Sequence, residues 1–241
     1  MENQSEHQSI WKAKTAILCY ISLAAGIILG SLIVAAILLG FGLDSQNLQE
    51  MSFPLAFISI PITEGLILTI TFIYAKYKGA SLRDLGLKKP RLKIIVLVSF
   101  AAVLLLLLAG SIGAVEETVF GPEPDAQNLT YAVLPRNGIQ LIALLAISIA
   151  LVGPAEELAF RGFVQRGLEN SYGKMAGLIF ASILFGLLHG LNSFYSILPV
   201  TVVSLFLGYV WQKTGGNTIA SAWLHGLYDA IAIAISYFAF A

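Results

Sequence analysis

The sequence predicts an all-α fold, a polytopic transmembrane bundle of seven helices. The 241-residue chain is 57% hydrophobic and 12% charged, with a mean hydropathy of +0.82. A soluble domain carries about 25% charge. The apolar residues fall in runs of about 20, the length a helix needs to cross a ~30 Å hydrocarbon core. Lysines and arginines cluster on alternate loops, the asymmetry that sets orientation in a bilayer.

A polar leader, 1–14, holds Lys12, Lys14 and a solvated His7. The first span, Thr15–Leu43, is too long for a signal-peptide core and is expected to remain in the protein. Phe53–Tyr74 follows, with Glu64 three residues after Pro61. Ile94–Val115 completes a unit of three N-terminal helices, 15–115. Region 139–241 is a four-helix core: Ile139–Arg161 (continuing as helix to about Glu169), Met175–Leu191, Tyr195–Trp211 and Thr218–Phe240. An eighth helix has room in the long first span or in the 115–138 loop.

The segment between the second and third spans carries Lys76, Lys78, Arg83, Lys88, Lys89, Arg91 and Lys93. Arg166, Lys174 and Lys213 lie in later turns of the same side. The opposite loops hold Arg136 beside Glu116, Glu117, Glu123 and Asp125. The expectation is a multi-pass protein with a cytosolic N-terminus and its C-terminus outside. Asn128-Leu129-Thr130 matches a glycosylation sequon on the outer side.

The formal net charge is zero, which implies no nucleic-acid partner. The expected partners are membrane lipids, with the basic 76–93 loop meeting anionic headgroups. The single cysteine, Cys19, supports neither a disulfide framework nor a zinc cluster.

Ionisable residues inside spans mark the candidate site. Each costs about 2.5–3.5 kcal/mol at the bilayer centre on insertion scales, so such groups are usually paired, cavity-facing and functional. Glu156, Glu157 and Arg161 lie within six residues at the end of the fourth span. Glu157 and Arg161 are four apart and can pair along one helix face. Adjacent positions point ~100° apart, so Glu156 faces elsewhere, free of a partner in its own helix. Pro154 removes a backbone hydrogen bond and is expected to kink the helix there. His189 and His225 also fall inside spans; Phe185 precedes His189 by four and Asp229 follows His225 by four.

Spans four and five form a hairpin about the Ser171-Tyr172-Gly173 turn. Running back from it at 1.5 Å per residue puts Glu156 and His189 about 20–24 Å away, at one depth. His225 lies ~12 Å into the seventh span from the same side. With a protruding hairpin tip, Glu156, His189, His225 and Asp229 share one level in the cytosolic half of the bilayer. The bland readings stand beside these. Glu157–Arg161 reads best as an orienting ion pair, Glu64 as structural and Phe185 as core packing. Lone membrane histidines often hydrogen-bond between helices. Gly26-x-x-x-Gly30 and Gly186-x-x-x-Gly190 read as close packing inside the bundle.

Glu156-Glu157-x-x-x-Arg161, Phe185-x-x-x-His189 and His225-x-x-x-Asp229, in that order, resemble the CPBP family, which includes the type II CAAX prenyl endopeptidases. The resemblance covers about 139–230; Leu82-Arg83-Asp84-Leu85-Gly86-Leu87 also resembles the family's loop before its core. It implies an intramembrane endopeptidase with Glu156 as general base and His189 holding the water or a metal. His225 and Asp229 would stabilise the oxyanion or complete a metal site. The prenyl endopeptidases have asparagine where this chain has Asp229. An ionised aspartate cannot donate to an oxyanion, which favours orienting His225 or binding metal. Zinc or another divalent metal on Glu156, His189, His225 and Asp229 is one reading, and a metal-free glutamate-activated water is the other. The implied substrate is a hydrophobic or prenylated peptide. The alternatives are a proton-coupled transporter relaying through Glu64, Glu156, His189 and Asp229, and a non-catalytic immunity or scaffold protein of the same fold.

Overall fold

The structure is a computed structural model that describes residues 10–41, 48–123 and 134–240. His7, most of the leader, the Asn128-Leu129-Thr130 sequon and the middle of the 115–138 loop lie outside the described residues. Among the described residues the chain is helical, without strands.

Helices α1 (Ala13–Gly40), α2 (Leu48–Tyr77) and α3 (Leu92–Phe120) come first. Then α4 runs through Gly138–Tyr172. It is followed by α5 (Lys174–His189), a 3₁₀ turn at Phe194–Ser196, α6 (Ile197–Lys213) and α7 (Thr218–Phe240). Six of these segments are long and apolar enough to cross a membrane. The 16-residue α5 spans only about 24 Å. Large apolar side chains such as Leu29, Phe100 and Leu104 lie on the outside of the bundle. In hydrocarbon that face is solvated, and a helix satisfies its interior backbone groups within the segment. The protein is an integral membrane protein.

The interior holds two large apolar clusters and a small one at Val34 and Leu38 between α1 and α2. Trp11, Leu23, Leu85, Phe160, Phe163 and Phe185 fill the space among α1, α2, α4 and α5. Val98, Leu105, Leu207 and Leu224 fill that among α3, α6 and α7. Helix α4 packs against both groups of helices and so sits at the centre.

That helix departs from the expected single kink. Two π-helical stretches, Ser148–Val152 and Leu158–Gln165, flank a five-residue α-turn at Gly153–Glu157. Pro154 opens the α-turn and has no N–H to donate. Wider turns on both sides take up the distortion, and each π-turn rotates the following faces about the axis. Helix α4 also continues beyond Glu169 to Tyr172, where Gly173 turns the chain at φ 83°. This is the turn the hairpin geometry requires.

Glycines let backbones meet where α4 and α7 cross. A Cβ on Gly153 would lie 2.5 Å from the Ala222 carbonyl oxygen and 2.7 Å from the Gly226 nitrogen. One on Gly226 would lie 2.6 Å from the Ser148 carbonyl oxygen. The paired spacings behave as intrachain packing: Gly26 and Gly30 face Ile70 and Leu66 of α2, and Gly190 faces Ile197 of α6. The loop before α3 docks at the same end of α4 and α7. Gly162 abuts the Leu85 carbonyl, while Thr218 donates from its N–H to Gly86 (2.9 Å) and from Oγ1 to Leu85 (2.6 Å).

Candidate active site

The α-turn Gly153–Glu157 presents Glu156 and Glu157 to different surroundings. Glu157 is fully buried. Its Oε1 pairs with Arg161 Nη1 at 3.2 Å, as the i,i+4 spacing predicts. Arg161 is anchored twice more. Its Nη2 donates to the Ser204 carbonyl (3.1 Å) and hydroxyl (3.0 Å), and its guanidinium lies 4.9 Å from the Phe185 ring centroid. A buried charge this well surrounded fixes the rotation of α4 against α5 and α6.

The sequence did not reveal a second partner of Glu157. His225 Nδ1 lies 3.1 Å from the same Oε1. A carboxylate oxygen already facing a guanidinium accepts, so Nδ1 carries the hydrogen. His225 Nε2 then faces the two remaining carboxyl groups, Asp229 Oδ2 at 3.6 Å and Glu156 Oε2 at 3.8 Å. The α4–α7 backbone contact at Gly153 and Gly226 brings this imidazole so near. The tertiary signal in the sequence was the glycine next to His225 itself.

Glu156 lines a cavity of about 130 Å³, together with Glu64, Phe185, His189 and Asn192. That is room for several waters. Glu156 Oε2 is buried and accepts no hydrogen bond. His189 donates from Nδ1 to the Phe185 carbonyl at 3.0 Å, which leaves Nε2 as its available nitrogen. The Phe185 ring stacks edge-on against Phe160 at 4.6 Å, and His189 lies 4.6 Å and His225 6.0 Å from its centroid. Phe185 is thus more than filling. It is the common surface on which Arg161 and both histidines rest.

Glu156 and His189 therefore meet at one level, as the hairpin arithmetic requires. His225 and Asp229 are beside Glu156 but are not among the residues lining this cavity. Several cavity residues lie outside the motifs. Asn192 comes three residues after the end of α5, and Thr63 and Glu64 arrive from α2, where nothing in the local sequence of Glu64 indicates a partner.

The site can polarise and deprotonate a water: a carboxylate with a free oxygen, an imidazole across the cavity and a second imidazole behind the carboxylate. His225 Nδ1 is engaged by Glu157, which leaves Nε2 as the nitrogen that would bind a metal. Among the described residues no group of three or more His, Cys, Asp or Glu side chains stands in a metal-holding arrangement.

Comparison with known families supplies an independent observation. Residues 138–231 match the family model of type II CAAX prenyl endopeptidase Rce1-like proteins. The matched stretch begins with α4 and ends within α7, and it carries all three motifs; α1–α3 lie outside it. No curated protein and no solved structure gave a match.

Proposed function

Taking the 138–231 core as one of this prenyl endopeptidase type, we propose that the chain hydrolyses a peptide bond near the cytosolic membrane face. Its proposed substrates are prenylated CAAX-type C-termini or similar membrane-bound hydrophobic peptides. The observation that carries this reading is that Glu156 lines a cavity with His189, its Oε2 free of hydrogen bonds and 3.8 Å from His225 Nε2.

In the proposed step, water in the cavity gives a proton to Glu156 as its oxygen attacks the scissile carbonyl. His189, fixed through Nδ1, holds that water through Nε2. Glu157 and Arg161 do no chemistry; they hold α4 and, through His225 Nδ1, set the tautomer and direction of the His225 ring. Asp229 orients the same ring from its other side. A general base contributes typically 10²–10⁴-fold. The lysines and arginines of the 76–93 loop, suited to anionic headgroups, support a cytosolic side for the site.

The test is cleavage of a farnesylated peptide by purified protein in detergent or liposomes. Glu156→Gln and His189→Ala abolish cleavage while leaving the protein inserted and folded. Cleavage at the wild-type rate by Glu156→Gln overturns the assignment.

A further inference from the structure

Glu64 has no role in the chemistry so far, yet it stands inside the reaction cavity. It is 5% exposed, lines the cavity with Glu156, and its Oε2 has no hydrogen-bond partner. A buried polar atom without a partner is costly, and native proteins rarely keep one without a use. The charge on the walls is lopsided. Two carboxyl groups and one imidazole line the cavity, and no lysine or arginine does. The guanidinium of Arg161, on the same helix as Glu156, is committed to Glu157 and Ser204. A cavity of this sign accepts a cationic group or a strong donor.

We propose that Glu64 is the receptor for the leaving amine, a substrate-binding residue supplied by α2 from outside the matched core. The inference rests on the endopeptidase reading. Hydrolysis creates one cation where none existed. Water oxygen bonds to the carbonyl carbon and the C–N bond breaks. The amine nitrogen, which keeps its own hydrogen, takes both water protons, one of them by way of Glu156. The acyl side leaves as a carboxylate and the amine side as an ammonium. Glu64 faces that ammonium across a cavity with no competing cation, and before cleavage its free oxygen accepts from the scissile N–H. The short peptide released is then held by its new amino terminus.

The experiment measures binding of a probe that needs no cleavage. The apolar tripeptide Val-Ile-Leu with a free amino terminus is compared with its N-acetylated twin, on the full-length protein in detergent. The wild type binds the free amine about tenfold tighter than the acetylated twin. Glu64→Gln brings the two to equal affinity, and Glu64→Asp restores part of the preference. Equal affinity in the wild type, or an undiminished preference in Glu64→Gln, overturns the proposal. Cleavage assays on Glu156→Gln run alongside separate the two ideas. Loss of cleavage in Glu156→Gln without an amine preference sinks only the Glu64 assignment. Full cleavage by Glu156→Gln sinks the base assignment, while the amine preference still reports on Glu64.

Discussion

Glu157 Oε1 lies 3.2 Å from Arg161 Nη1 and 3.1 Å from His225 Nδ1, so a single buried oxygen joins a cation of its own helix to an imidazole of the last one. The pair is therefore both a helix-packing device and the element that orients His225. The two functions separate on mutation.

Arg161→Ala leaves a buried carboxylate facing one imidazole and empties the contact with Ser204. Removing one partner of a buried pair costs about 3–5 kcal/mol. Thermal unfolding in detergent should show a large fall in the midpoint. The double change Glu157→Leu with Arg161→Met removes both charges, and most of the stability returns while cleavage does not. Recovery of cleavage by the double variant would show that orienting His225 is unimportant.

The α4–α7 crossing tolerates no side chain. Gly153→Val and Gly226→Val each press a Cβ into opposing backbone at 2.5–2.7 Å, and overpacking of this kind costs about 1–3 kcal/mol or more. Gly110→Ala, which meets nothing within 4 Å, is the control and leaves stability unchanged. If Gly153→Val unfolds at the wild-type midpoint, the crossing is not as close as described.

Asp229 Oδ2 faces His225 Nε2 at 3.6 Å, and an amide in its place can face the same nitrogen, donating to it while Nδ1 carries the hydrogen of the ring. Asp229→Asn keeps most of the cleavage activity, whereas Asp229→Leu loses about 10-fold or more, in line with loss of a group that holds a catalytic imidazole. The ratio of kcat/KM for the two variants measures this. Equal loss in both would assign Asp229 a role that requires its charge.

Chelation separates a metal-free reaction with Glu156 as base from a metal-assisted one, and the metal-free reading predicts the following. Incubation with 1,10-phenanthroline leaves the rate unchanged, and purified protein carries metal well below one equivalent per chain. Loss of activity on chelation, restored by added zinc, would replace this mechanism with a metal-assisted one.

Much of this was written locally in the chain. Runs of about 20 apolar residues specify membrane helices because hydrocarbon accepts no unsatisfied backbone. The four-residue spacing of Glu157 and Arg161 specifies their pairing because it is one turn of helix. The Glu156–His189 level follows from a turn at Gly173 and a constant rise per residue. Interhelical placement is different. It depends on which backbones touch, and here Gly153 and Gly226 decide it by allowing α4 and α7 into contact. Only that contact carries His225 to Glu157. Only the packing of α2 against α4 puts Glu64, with no partner in its own helix, on the cavity wall beside Glu156. Likewise the π-turns around Pro154 replace the single expected kink, because a helix held on several sides spreads a lost hydrogen bond over neighbouring turns instead of bending freely. The sequence by itself determined the membrane bundle and the motif residues; tertiary packing decided which of those residues touch and which others join them.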